Sequence, residues 1–455
     1  MLIKNAEVAG NLIDLRLSDV IVDMGRGLVA ADEPVVDARG CALLPGLHDH
    51  HIHLFAAAVA AESIDCSDLQ AGDEAGFVQR LGDAPRAGWH RVVGYHESVA
   101  GDLDRHRLDQ LSAPVPTRLQ HSSGKLWVLN SQALDQLRIS EAAHEGIERD
   151  DAGIPTGRIW RADDWLRKRL HSDAPDLTVV SQALSAFGIT GVTDTSYTND
   201  HAALQALHAA RQSGALSQRL YVMGDDSLTS GPLKIMLDED DLPEFEYLLD
   251  RIAAARAAGR SVAFHCVSHV ELVFALAALE QTGYVKGDRI EHGGVVRAEV
   301  LPQLKKSGVT VVTQPGFVWA RGARYQRDAE TADLAYIYPF KTLLDAGVPV
   351  VASSDAPYGP LDPWLCMATA VSRRCLDGSL LNPGEAVAPA TALSGYLSTP
   401  QAPAGPPRQI AIGWPADLVL LDRPLKDVYA NISAVRPRVT LIAGQLVYDS
   451  SVSTS

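Results

Sequence analysis

The sequence predicts an α/β fold: a TIM (β/α)8 barrel with a small β-sandwich domain built from both termini. Two observations lead there. Through the middle of the 455-residue chain, short apolar runs alternate with amphipathic helical segments, and repetition of this kind implies a parallel sheet. At both ends, short stretches alternate apolar and polar residues between turn signals, which reads as small β-strands. The expected division is residues 1–46 and 407–455 for the β-sandwich domain and 47–406 for the barrel.

The N-terminal strands are carried by LIKNAEV, DVIVDM and PVVDA, separated by Gly and Asp. The C-terminal ones are carried by ADLVLLD and VTLIAGQLVYD. Between them, RVVGYH, GITGVTDT, RLYVMG, PLKIML, SVAFHCV, DRIEHG, VTVVTQP and VPVVASSDAP are strand candidates. The segments LPEFEYLLDRIAAARAAG and ELVFALAALEQTG space their apolar residues as helices do and end on Gly. More than eight candidate strands are present, so barrel strands two and three stay open. The Pro-rich run 398–409 marks the return from barrel to β-domain.

Composition narrows the function classes. Hydrophobic residues make up 46% and charged residues 21%, enough apolar material for a large core. The formal net charge of -16 argues against a nucleic-acid partner, because phosphate backbones demand positive charge. No basic stretch followed by an apolar run opens the chain, and no window of about 18 apolar residues predicts a membrane span. The five cysteines are scattered and never form a CxxC pair, which fits core filling in a reduced cytoplasm. The expected partner is a small-molecule substrate, with homo-oligomerisation left open.

The strongest local feature is LLPGLHDHHIHL. It places His51 and His53 two apart on a strand, with both imidazoles on one face, where they can grip one ion. His48 and His50 take the opposite parity. Asp49 shares the ligand face and is a candidate to orient a histidine. An HxH pair alone fits a surface or core pair equally well. Later features shift the balance, because each stands at or near the C-terminal end of an apolar run, where barrel active sites are built. They are Lys234 in PLKIML, His265 in VAFH, His292 in DRIEHG and Asp355 in VVASSDAP. A lysine inside an apolar strand is costly unless paired or modified.

The series PGLHDHHIH, Lys234, His265, His292 and Asp355 resembles the metal-dependent amidohydrolase superfamily. Within it, the chain is similar to the family 3 branch of D-aminoacylases and N-substituted formamide deformylases. The opening AEVAG…VIVDMGRGL…PVVDARGCALLPG and the closing IAIGWPADLVLLD…VTLIAGQLV resemble that family's split β-domain, and RLQHSSGKLWVLNSQAL resembles its WVNSxAL segment. The resemblance implies that His51, His53 and Asp355 hold one divalent metal, zinc by first expectation, and that His265 and His292 hold a second. It also implies that Lys234, carboxylated by CO2, bridges the two. Three departures stand out. HCVSHVE (265–271) replaces HxxGDxA, Lys125 stands where the branch has a histidine, and SDAP replaces SDWP.

The expected chemistry is hydrolysis of an amide, N-acyl or lactam C–N bond by metal-activated water, with Asp355 as general base and then acid. The same ligands would serve an ester, a lactone, a phosphotriester or a decarboxylation. A non-catalytic relative would have lost ligands, and none is missing. For substrate contacts, the stretch 314–328 (QPGFVWARGARYQRD), read as a loop at the barrel mouth, offers Trp319, Arg321, Arg324 and Tyr325. Tyr95, His96 and Lys125 are weaker candidates for the same role.

Overall fold

In the computed structural model, residues 1–67, 69–84, 88–170 and 174–452 are described. The alternating N-terminal stretches become β1 (Leu2–Val8), β2 (Asn11–Leu17), β3 (Ile21–Gly25) and β4 (Val35–Asp37), one sheet in the order β3-β2-β1-β4. The β1–β2 turn is only Ala9–Gly10, with φ of 48° and 81°. Two successive positive φ values suit a tight hairpin, and Gly10 supplies one without strain. β5 (Leu43–Pro45) leads directly into β6 (Leu47–Ile52), which is buried throughout.

Met1–Ala57 together with Asp176–Ser455 form one compact unit, and Ala58–Pro175 form another. The second unit is built on β7 (Ile64–Asp65), β8 (His90–Tyr95), β9 (Thr117–His121), β10 (Leu126–Leu129), β11 (Ile147–Arg149) and β12 (Pro155–Trp160). Their order is β11-β12-β10-β9-β8-β7, with β7, β8 and β9 parallel and the others antiparallel. RVVGYH therefore belongs to this sheet.

The first unit resumes with β13 (Ile189–Asp194), β14 (Arg219–Val222), β15 (Leu233–Ile235), β16 (Val262–Cys266), β17 (Arg289–His292), β18 (Thr310–Thr313) and β19 (Val350–Ala352). They pair in parallel in two sheets, β14-β13-β6 and β15-β16-β17-β18-β19. Single parallel bridges, Gly224↔Leu233 and Ile52↔Ala356, connect the edges of those sheets. The result is an α/β fold of TIM-barrel type. GITGVTD and RLYV follow β6 as the next two parallel strands, which resolves what the surplus of candidates left open.

β20 (Leu418–Leu421), β21 (Pro437–Ile442) and β22 (Gln445–Asp449) pair with β5 in the order β22-β21-β20-β5. Ile3, Leu15 and Ile21 share a buried cluster with Leu418, Leu420, Val439 and Leu441, so strands from both chain ends fill one core. Each such side chain contributes roughly 1.5–3 kcal/mol through burial. Among the described residues, no helix is long and apolar enough to cross a membrane. All five cysteines are buried and free, as core filling requires.

One element differs in kind. The stretch expected as a loop after VTVVTQP is a helix, Pro315–Asp328. Pro315 sits in its first turn, where a missing N–H costs nothing. Phe317, Val318 and Gly322 are buried on its inner side. A Cβ on Gly322 would lie 2.2 Å from Cys375 Sγ, so only glycine allows the helix this close. The place of this stretch after a strand candidate at the barrel mouth reads as a loop. Arg324 and Arg327 occupy the outer side of an amphipathic helix instead, while Arg321 is half-buried beside Phe317.

Candidate metal centre

β6 sets the parity. His48 Nε2 lies 2.9 Å from Thr193 Oγ1 and His50 Nε2 lies 3.0 Å from Ser398 Oγ, so both are engaged on one side of the strand. His51, and His53 just beyond the strand, serve the other side. The loop after β19 is stitched to them: the Asp355 N–H donates to the His51 carbonyl at 2.8 Å, and the His53 N–H donates to that of Ala356 at 2.9 Å. Asp49 does not orient a histidine ring. Its Oδ1 accepts the backbone N–H groups of His51 (3.2 Å) and Ser354 (3.1 Å) and so fixes the same junction.

Asp355 Oδ1 lies 3.3 Å from His51 Nε2 and 3.1 Å from His53 Nε2, while Oδ2 lies 3.6 Å from His292 Nδ1. One ligand atom each from His51, His292 and Asp355 falls within 4.8 Å of the others. His292 Nε2 in turn lies 2.9 Å from His265 Nδ1. Asp355 and His292 hold positive φ, 53° and 72°. Such backbone costs about 1–3 kcal/mol for a non-glycine residue and tends to gather at functional sites. Lys234 is only 3% exposed.

The electrostatics call for positive charge in the middle. His51 Nε2, Asp355 Oδ1 and Lys234 Nζ are buried and, among the described residues, none has an aligned hydrogen-bond partner. Burial pushes the Asp355 carboxyl up, but His51, His53 and His292 outweigh it and hold the group well below the usual carboxylate range. Burial would also lower His51, yet Asp355 and Glu291 raise it above its ordinary value. A proton on His51 thus supplies charge that a cation would supply better. Burial depresses His265 to about 2 and His292 to about 3, leaving both rings neutral and their lone pairs open to a metal. Carboxylate and neutral imidazole donors converging on buried, unsatisfied atoms fit a divalent ion.

Three orienting residues escaped the sequence reading. Glu291 Oε2 lies 2.5 Å from His51 Nδ1, and its Oε1 lies 2.7 Å from Arg289 Nε. Gln314 spends its amide N–H groups on the Val312 carbonyl and Ser353 Oγ, so its oxygen meets His292 Nδ1 at 2.9 Å. Ser196 Oγ lies 2.9 Å from His53 Nδ1. Such partners fix which ring nitrogen faces the metal. Glu291 carried a readable signal, since RIEH puts an acid and a base at the same parity inside a buried strand beside a ligand. Ser196 carried none.

The candidate substrate contacts separate. Arg321 packs over Phe317 at 4.2 Å and donates to the Tyr358 carbonyl at 2.8 Å. Phe317 stacks on His292 at 6.5 Å and Tyr358 meets His53 edge-on at 5.4 Å, which places Arg321 one side chain from the centre. Arg324 is exposed and pairs with Asp328. Tyr325 packs beside Tyr338, and Trp319 is half-buried with its carbonyl bound by the Leu376 N–H. Tyr95, His96 and Lys125 belong to the second unit. Tyr95 is buried there, with its hydroxyl donating to Gly101 and its phenol pushed up by burial to about 12. His96 caps a helix, and Lys125 is exposed.

The profile of the amidohydrolase family matches residues 34–448. The chain belongs to the amidohydrolase family. It is a hydrolase acting on carbon–nitrogen bonds other than peptide bonds. The N-substituted formamide deformylase of Arthrobacter pascens is 28% identical to this amidohydrolase, over 94% of this chain and 92% of the relative. Among solved structures, an uncharacterized metal-dependent hydrolase from Pyrococcus horikoshii OT3 aligns with a TM-score of 0.74 at 21% identity, over 92% of this chain and 96% of that one. N-isopropylammelide isopropylaminohydrolase from Burkholderia multivorans aligns at 0.55 with 16% identity, over 98% and 97%. At these identities the structural matches speak for the fold.

Proposed function

We propose that the protein hydrolyses an amide, N-acyl or lactam C–N bond of a small molecule, using two zinc ions. The observation carrying this reading is the convergence of His51, His53, His265, His292 and Asp355, with the buried, unsatisfied Lys234 amine near enough to act electrostatically on His51, His265 and His292. His51, His53 and Asp355 would hold one ion, and His265 and His292 the other. When bound, the ions supply Lewis acidity and lower the pKa of water to about 7. Asp355, held ionised at neutral pH, accepts the proton of the attacking water and returns it to the leaving nitrogen. Arg321 would meet an anionic group on the substrate. We also read residues 1–46 and 407–455 as one β-sandwich domain and the eight parallel strands of 47–406 as a closed barrel.

Burial lowers the Lys234 pKa, which favours the neutral amine. That form adds to CO2: the N–C bond forms, one proton leaves, and a carbamate anion replaces a costly buried cation. Carboxylated Lys234 would then help hold both ions by offering them anionic oxygen donors. Metal analysis of the purified protein should therefore find about two ions per chain, as in other two-metal hydrolases. Lys234→Met, which cannot be carboxylated, should retain about one or fewer. Equal metal content in Lys234→Met and the unaltered protein would rule out the bridge while leaving a single-ion site.

The Arthrobacter relative's name makes N-substituted formamides the first substrates to test. A panel should pair them with N-acyl amino acids, lactams and the matching esters. Turnover confined to the esters would overturn the C–N assignment.

A further inference from the structure

In the second unit, β8 and β9 are adjacent and parallel, and Tyr95 pairs with His121 in their register. His96, one residue past β8, and His121, the last residue of β9, therefore emerge side by side at the carboxyl ends of neighbouring strands. In open parallel arrangements this is where ligands gather. Their rings lie 5.5 Å apart, and Glu97 stands between them, its Oε2 2.6 Å from His121 Nε2 and 3.7 Å from His96 Nδ1. One nitrogen of each ring and one carboxylate oxygen fall within 4.8 Å of one another.

We propose that His96, Glu97 and His121 form a second, solvent-accessible site for a divalent transition metal, separate in ligands from the hydrolytic centre. Two imidazoles and one carboxylate make a donor set suited to zinc and its neighbours and poorly suited to magnesium or calcium.

The surroundings of both rings define what metal binding would have to change. Each histidine is followed two residues later by a serine, and the two serines do the same thing. Ser98 Oγ lies 2.9 Å from His96 Nδ1, and Ser123 Oγ lies 2.8 Å from His121 Nδ1. A ligating histidine usually passes its other N–H to an acceptor of this kind, which fixes ring and tautomer. The backbone N–H of each serine also reaches the same Nδ1, at 3.1 Å. Nδ1 of each ring therefore accepts from the backbone, which leaves the ring proton on Nε2, and on His121 that N–H donates to Glu97. A divalent ion held at Nε2 would displace this proton to Nδ1, where the Ser98 and Ser123 hydroxyls are within reach to accept it once the backbone N–H gives way. His96 and Glu97 are exposed, so an ion can enter without opening the fold.

The test is calorimetric titration of zinc into the full-length protein after loosely held ions are dialysed away. The unaltered protein should bind one zinc per chain beyond those it retains. Glu97→Gln keeps the size of the side chain but removes its charge, and His121→Ala removes a ring. Each should weaken the additional site at least ~10–100-fold, the loss typical even for residues that only orient a ligand. Ser123→Ala should weaken it less than His121→Ala. Should His121→Ala fold poorly, Glu97→Gln still decides. An additional zinc bound as tightly by Glu97→Gln as by the unaltered protein, or no additional zinc at all, overturns the proposal.

Discussion

Asp355→Asn is expected to lower turnover by at least ~10²–10⁴-fold, the usual worth of general acid–base catalysis, while bound metal stays near its original content. Asparagine keeps a carbonyl oxygen in the place of Oδ1, close to His51 and His53, so a metal ligand survives. It cannot accept a proton at neutral pH. The side chain enters the site from a backbone already held at φ 53° and tied to β6 through the His51 carbonyl, so the substitution should not move the loop. Asparagine also tolerates the left-handed region better than most residues. His51→Ala should behave in the opposite sense, losing metal first, with added zinc restoring part of the activity. Metal content measured beside turnover separates the two. Near-normal turnover in metal-loaded Asp355→Asn would remove the proton-transfer role. His265 and His292 could not replace it, because in this account the metal would take their lone pairs.

The second large effect is expected at Glu291. Its carboxylate is fully buried between the His51 ring and Arg289, and Arg289 also donates to the His50 carbonyl. Glu291→Ala should weaken metal binding ~10–100-fold, because His51 loses the partner that orients it. It should also destabilise the fold by about 3–5 kcal/mol, since the Arg289 charge is left buried and uncompensated. Glu291→Gln should show a smaller loss of metal affinity, because an acceptor oxygen remains for His51. Burial opposes ionisation of Glu291, but Arg289, Lys234 and His51 hold its carboxyl below the ordinary value of 4.5. Its stabilising contribution is therefore complete above that pH and is lost as the pH falls further. Unfolding by denaturant, with zinc affinity measured in parallel, checks both. An unchanged midpoint in Glu291→Ala would show that Arg289 finds another partner.

The expected metal ligands were visible because each interrupts an apolar strand end with a residue that burial makes expensive. His51 and His53 declared themselves by their spacing, and Lys234 by its cost. The helices were visible where apolar spacing was long, as in ELVFALAALEQTG. Other features left weaker traces. Residues 315–328 hide their buried stripe in Phe317, Val318 and a glycine that packs by being small, so the helical spacing is faint and the stretch reads as a loop after its strand. The unit Ala58–Pro175 carries short strand runs of its own, and nothing in RVVGYH states which sheet it joins. Glu291 and Gln314 act through partners far away in sequence, and only the fold brings Glu291 to His51.

The most direct test of the central claim is turnover of the N-substituted formamide and N-acyl panel by protein stripped of metal and then reloaded with zinc. The account predicts C–N cleavage that vanishes on stripping, returns on reloading to about two ions per chain, and fails to return in Asp355→Asn. Hydrolysis at an unchanged rate by the stripped protein would contradict it.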